Sequence, residues 1–127
     1  MNIRIAHEQG RVPITVFTIQ GQINLGSTTQ LEQLARAEHN RGMCDLLIDL
    51  SETTSLTSAG LRTLLALYRL LENPPSDASE ARQKAAHLKL LHLSPDLRRV
   101  LKIAGFDRFI DIYDDLPTAI ASFGAQD

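Results

Sequence analysis

The residues best suited to chemistry in this sequence are hydroxyl side chains in the stretch 51–58. They are Ser51, Thr53, Thr54, Ser55, Thr57 and Ser58. Serine and threonine are common in loops because they satisfy nearby backbone groups, so the cluster alone does not establish a function. At the start of a helix, however, such hydroxyls can cap the helix or bind or accept a phosphate, because the free N–H groups there favour anions.

The small residues Ala59 and Gly60 follow the hydroxyl cluster directly. Small side chains allow the backbone of another molecule, or a phosphate, to approach closely. We therefore expect recognition of a partner or a phosphate at this point. We also expect Gly60→Val to impair docking more than folding.

The flanking residues predict how this stretch is held in the fold. Leu46–Leu50 is a short apolar run with the pattern of a strand buried on both faces. Beyond Gly60, apolar residues recur at the spacing of one helical face, at Leu61, Leu64, Leu65, Tyr68 and Leu71. The sequence thus predicts a buried strand, a hydroxyl-rich loop at its carboxyl end, and a helix that begins near Thr57 or Ser58.

Strand and helix patterns alternate along the rest of the chain in the order β-β-α-β-α-β-α-β-α. Strands are predicted at 2–6, 14–19, 46–50, 87–93 and 109–113, and the first helix at 28–40. Ser27, Ser94 and the pair Asp114-Asp115 are predicted helix caps, with Gln30 completing a capping box. This order predicts one α/β domain over 1–127, with a mixed, mostly parallel sheet that carries an N-terminal antiparallel hairpin. The stretch 73–86 is predicted to be a surface excursion.

Composition and charge argue against several classes of protein. The net charge is −2, and no Lys/Arg cluster is larger than Arg98-Arg99, so we do not expect nucleic-acid binding. No apolar run is long enough to span a membrane, and the amino terminus lacks a secretory pattern, so we expect a cytoplasmic protein without direct membrane insertion. A single cysteine, Cys44, provides neither a disulfide nor a CxxC site.

Catalytic motifs are absent from the sequence. There is no GxGxxG, P-loop, HExxH or GxSxG pattern, so we expect no catalytic residues, no metal and no cofactor. His87 and His92 lie on opposite faces of one predicted strand and cannot share a metal. A triad of Ser58 with a histidine and an aspartate stays open, because triad members need not be neighbours in sequence.

Three segments, taken in order, resemble the STAS domain, the fold of bacterial anti-sigma factor antagonists. The first is Gly21-Gln22-Ile23-Asn24, the second runs from Leu47 to Arg62, and the third runs from Val100 through Tyr113 to Ala119. The resemblance covers essentially the whole chain. It implies a sheet with helices packed mainly on one face.

The resemblance also implies a partner-switching function without enzymatic activity. The partner would be an anti-sigma factor that is also a Ser/Thr kinase, with this chain a monomer or weak dimer. The kinase would phosphorylate a hydroxyl at the helix start. The partner-binding residues that the resemblance implies are Asn24, Thr57, Ser58, Ala59, Gly60, Leu61 and Arg62.

Two residues depart from the family pattern. In an alignment on Gly60, the phosphorylated position of the family is occupied by Ala59, and Asn24 replaces an aspartate. Ser58 or Thr57 therefore takes over as phosphorylation site, or the domain binds without this switch. Two other functions stay open: an accessory STAS subunit of a lipid or anion transport system, and a small hydrolase or nucleotide-binding enzyme that uses Ser58.

Overall fold

The computed structural model describes residues 2–72 and 85–124 and has the predicted α/β architecture. The strands are β1 (Asn2–Gln9), β2 (Pro13–Ile23), β3 (Leu46–Asp49), β4 (Thr53–Leu56), β5 (Leu88–Leu91) and β6 (Ile112–Tyr113). The helices are α1 (Thr28–Asn40), α2 (Ser58–Glu72), α3 (Pro95–Ala104) and α4 (Leu116–Ser122), with a short 3-10 helix at Phe106–Arg108.

The strands form one mixed sheet in the order β1-β2-β3-β5-β6, and β4 pairs with the far end of β2. β1 and β2 are antiparallel, whereas the pairs β2–β3, β2–β4, β3–β5 and β5–β6 are all parallel. The predicted N-terminal hairpin and the mostly parallel sheet are therefore confirmed.

Three of the helices cover one face of the sheet and the fourth covers the other. The larger core contains Leu31 of α1, Leu64 of α2 and Leu101 of α3. The smaller core contains Ala119 of α4 and Phe123 just beyond it. Successive side chains of β3 point to opposite faces of the sheet, so the strand contributes to both cores. Leu46 and Ile48 pack in the larger core and Leu47 packs in the smaller one. This explains the uninterrupted apolar run in β3, and it confirms that the helices lie mainly on one face.

The hydroxyl-rich stretch is not all loop, as the sequence suggested, because β4 lies within it. Thr53 is buried, and its hydroxyl donates to the Ile19 carbonyl at 2.8 Å, 34 residues away in sequence. At Gly21 the φ angle is +104°, and the register of β2 shifts between Gly21 and Gln22. This bend takes the end of β2 from β3 to β4. The predicted loop was wrong because a long-range pairing satisfies these residues.

The predicted helix caps have different outcomes. Ser94 accepts from the Leu97 N–H at 3.2 Å, and Asp115 accepts from the Thr118 N–H at 2.9 Å, so both caps are confirmed. The capping box at Ser27 was wrong, because its side chain makes no cap hydrogen bond. The Ser27 hydroxyl instead donates to the Gln22 carbonyl at 2.9 Å and accepts from the Asn24 N–H at 3.0 Å. It closes the loop before α1.

The last predicted strand is shorter in the structure, and the predicted excursion lies mostly outside the described residues. The last strand was predicted at 109–113 but covers only Ile112–Tyr113, because the 3-10 helix and turn precede it. The predicted surface excursion at 73–86 lies outside the described residues except for its end, where Ala85 is buried. The backbone N–H groups of Ala86 and His87 donate to the Glu72 carboxylate at 3.1 and 2.7 Å and fix this end. Within the ranges described, no helix is long and apolar enough to cross a membrane.

The contribution of the Asp115 cap to the stability of α4 depends on pH. The hydrogen bonds from Thr118 lower the pKa of the Asp115 carboxyl below its ordinary value of 3.8. Because the folded pKa is the lower one, the carboxylate stabilises the fold above the ordinary value, and this contribution is lost as pH falls through the folded value. We expect Asp115→Asn to lower the Tm at pH 7 and to match the original protein in strong acid. Thermal unfolding from pH 7 to 2 checks this, and a pH-independent difference would contradict it.

Candidate functional site

The start of α2 is anchored to the end of β2 by Thr57. The Thr57 N–H donates to the Ile23 carbonyl at 3.1 Å, and its hydroxyl donates to the same oxygen at 3.2 Å. The hydroxyl also lies 3.4 Å from the Gly60 N–H, in the position of a helix cap. The Thr57 hydroxyl is thus engaged inside the protein.

Gly60 faces the inside of the fold and not a partner. The residue is buried, and a Cβ added to it would lie 2.7 Å from the Ile23 carbonyl oxygen and 2.6 Å from the Leu56 Cδ1. No real Cβ makes such a contact, so Gly60 allows α2 to pack closely on β2 and β4. The interpretation of Gly60 as a close-approach site for another molecule was wrong. The expectation that Gly60→Val would mainly impair docking has no support here.

Ser58 is the first residue of α2 and is exposed to solvent. Its hydroxyl makes no hydrogen bond to any residue in the described ranges. It stands among the free N–H groups of the first helical turn, where the helix dipole favours negative charge. The side chain can therefore accept a phosphate without losing an internal contact.

A shallow groove of ≈ 190 Å³ lies beside this helix start, between the beginnings of α1 and α2. Leu25 at its rim is 78% exposed. Arg62 lines the same groove, is exposed, and forms no ion pair with the described part of the chain. The other lining residues are Thr28, Glu32, Ala59 and Thr63. We call the exposed side chains Leu25, Thr57, Ser58 and Arg62 the α2 corner.

The remaining predicted site residues have supporting positions. Asn24 is half-buried and holds the loop before α1, because its Oδ1 accepts from the Gly26 N–H at 3.0 Å. Leu61 is half-buried and packs against the larger core. Ala59 is half-buried and lines the groove. Leu25 was not among the predicted site residues, although it is an isolated leucine between Asn24 and Gly26, outside any helix or strand period.

The chemistry that the sequence left open for Ser58 has no support in the geometry. No histidine hydrogen-bonds to the Ser58 hydroxyl, and the strand histidines have other partners. His87 Nδ1 lies 2.9 Å from Asp45 Oδ1, and His92 Nδ1 lies 3.2 Å from Asp49 Oδ1. Asp49 also accepts from the Ser51 N–H at 2.9 Å. Across 2–72 and 85–124, no group of three His, Cys, Asp or Glu side chains is placed to hold a metal.

Comparison with known proteins gives a consistent result. A model of the STAS domain family matches residues 5–74. BtrV of Bordetella bronchiseptica, assigned as an anti-sigma factor antagonist, is 30% identical over 108 residues, which are 85% of this chain and 84% of BtrV. The crystal structure of an anti-sigma factor antagonist from Mycobacterium paratuberculosis is 26% identical, with a TM-score of 0.70 over 94% of each chain.

A more distant structure has the same fold. SpoIIAA, a Bacillus cell fate determinant solved in its phosphorylated form, is 18% identical, with a TM-score of 0.65 over 94% of this chain and 96% of SpoIIAA. At this identity the likeness supports the fold alone. The family model and the relative BtrV show that the chain belongs to the STAS domain family, among the anti-sigma factor antagonists, which are non-enzymatic regulators.

Proposed function

We propose that this protein is a cytoplasmic partner-switching module that binds an anti-sigma factor with Ser/Thr kinase activity through the α2 corner. Binding would withdraw the anti-sigma factor from its sigma factor. Phosphorylation of Ser58 would then release the partner. The proposal requires an exposed docking surface and an accessible hydroxyl within it.

One observation carries the proposal: the two candidate hydroxyls differ in availability. The Thr57 hydroxyl is bound to the Ile23 carbonyl and caps α2, so its phosphorylation would break the helix start. The Ser58 hydroxyl is exposed and has no internal partner among the residues described. The family position of the phosphate is Ala59 here, and the adjacent Ser58 lies on the same exposed first turn. This favours Ser58 as the modified residue.

The charges around Ser58 suit a reversible switch. A phosphate adds nearly two negative charges and three strong acceptor oxygens at the positive end of α2. Arg62 lies four residues further along the same helix, within reach of such a group. Pairing of Arg62 with the phosphate would remove a free cation from the docking surface and place a dianion there. Both changes would weaken the binding of a partner that recognises the unmodified α2 corner.

The experiment is a phosphorylation assay with a histidine-kinase-like (Bergerat-fold) Ser/Thr kinase encoded in the same genome. The protein, Ser58→Ala and Thr57→Ser are incubated with the kinase and ATP, and the modified residue is located by mass spectrometry. We expect phosphate on Ser58 in the original protein and in Thr57→Ser, and none in Ser58→Ala. Thr57→Ser keeps the capping hydroxyl and is the matched control.

Two results would contradict the proposal at different levels. Phosphate on Thr57 would show that the wrong hydroxyl was chosen. Failure to bind any such kinase, in pull-down with each one that the genome encodes, would count against the partner class itself. Copurification with an ABC permease in place of a sigma regulator would instead favour the transport alternative.

A further inference from the structure

Among the residues that the structure describes, β1 is one of the two end strands of the sheet and pairs with β2 on one side only. β1 is eight residues long, and most of its side chains are exposed. It contains no proline or glycine, and its pairing with β2 is in continuous register from Asn2 to Gln9. Edge strands of this length are normally blocked by prolines, bulges or charged side chains, because their unpaired backbone groups can bind another strand. β1 lacks the first two protections.

The direction of the free backbone groups follows from the sheet. The Thr15 N–H donates to the Asp45 carbonyl beside β3, so odd-numbered residues of β2 point their backbone groups towards β3 and even-numbered ones towards β1. Even-numbered β1 residues pair with even-numbered β2 residues, as in Ala6 with Val16. The unpaired N–H and C=O groups of β1 therefore belong to its odd-numbered residues, Ile3, Ile5, His7 and Gln9.

We propose that a second copy of this chain binds this edge, with the two β1 strands antiparallel around a two-fold axis at Ala6. In this register Ile5 faces His7 of the second copy as a hydrogen-bonded pair, and Ala6 faces Ala6 as a non-hydrogen-bonded pair. The free backbone groups of one strand then meet those of the other. The result is a continuous sheet through two protomers.

Charge selects both the occupant and the register. Arg4 and Glu8 stand two residues on either side of Ala6, on the same face of β1. The proposed register places Arg4 of each copy opposite Glu8 of the other, in close non-hydrogen-bonded positions. Arg4 also contacts the exposed Glu52, and Glu8 makes no ion pair within the described segments. The strand is thus complementary to itself, and a shift of the axis to Ile5 or His7 loses both pairs.

The dimer leaves the α2 corner free. β2 lies between β1 and β4, so the free edge of β1 points away from the strand that leads into α2. Dimerisation and partner docking are therefore separate properties. Failure of one leaves the other intact.

The first experiment is cysteine cross-linking in a Cys44→Ser background, because Cys44 is exposed and would react. Ala6→Cys brings two sulfurs together at the axis, since non-hydrogen-bonded Cα atoms lie about 4.5 Å apart, within disulfide range. Asn2→Cys is the matched control: it is equally exposed on the same face but lies roughly 27 Å from its mate in this register. Both variants are oxidised with copper phenanthroline and run on non-reducing gels. We expect a disulfide dimer for Ala6→Cys and monomer for Asn2→Cys.

The second experiment uses charge reversal and does not depend on the cysteine variants. Glu8→Arg places a positive charge opposite Arg4 of the second copy at both cross-strand pairs. Analytical sedimentation should therefore show a dimer on the order of tenfold weaker than that of the original protein. Arg4→Glu combined with Glu8→Arg restores the pairs and should recover much of the affinity. Equal cross-linking at positions 2 and 6, a monomer at every concentration tested, or a dimer insensitive to Glu8→Arg would overturn the proposal.

Discussion

Replacing Gly60 with valine is expected to lower the free energy of unfolding by about 3 kcal/mol or more, the upper range for overpacking a tight interior. A Cβ at this position would lie 2.7 Å from the Ile23 carbonyl oxygen, and backbone cannot move aside as the end of a flexible side chain can. Valine adds two further methyl groups to this contact. The same oxygen accepts from the Thr57 N–H, so a shift would also loosen the start of α2.

Denaturant unfolding measures this effect, and Ala59→Val is the matched control. Ala59 is the neighbouring residue, is half-buried, and lines the open groove, so the added methyl groups have space. We expect this variant to cost well under about 1 kcal/mol, mostly from the lower helix propensity of valine. If Gly60→Val unfolded like the original protein but bound its partner poorly, Gly60 would be a docking residue, as its sequence context first suggested.

Local rules predicted most of the fold. The apolar run of β3, the apolar face of α2, and the caps at Ser94 and Asp115 each depend on residues within one or two turns. These features are readable from sequence because their physical causes lie between neighbours in the chain.

Contacts between distant segments account for what the sequence did not predict. β4 exists because Thr53 bonds to Ile19, and Ser27 does not cap α1 because its hydroxyl is held by Gln22 and Asn24. The same limit applied to the candidate site. A glycine at a helix start indicates close approach, but only the packing of α2 on β2 identifies Ile23 as the group that approaches.

Replacing Leu25 with aspartate is expected to weaken partner binding at least tenfold, which is about 1.4 kcal/mol. Leu25 lines the groove and is 78% exposed, so a partner docked there would remove its apolar area from water. Aspartate removes that area and places a negative charge near Ser58, in part as a phosphate would. The fold should not change, because Leu25 lies in an exposed loop.

Ile103 provides a matched control for this substitution. It lies on α3, is 81% exposed, and is therefore as available to solvent as Leu25. Ile103→Asp makes the same kind of change outside the α2 corner. A general effect of removing surface apolar area or adding negative charge would affect both variants alike. Thermal midpoints of both should stay close to that of the original protein.

Isothermal titration of the purified kinase partner with the original protein, Leu25→Asp and Ile103→Asp tests the docking surface most directly. If the partner docks at the α2 corner, we expect Leu25→Asp to raise the dissociation constant at least tenfold. We expect Ile103→Asp to leave it within about twofold of the original value. Unchanged affinity for Leu25→Asp, or a larger loss for Ile103→Asp, would contradict docking at the α2 corner.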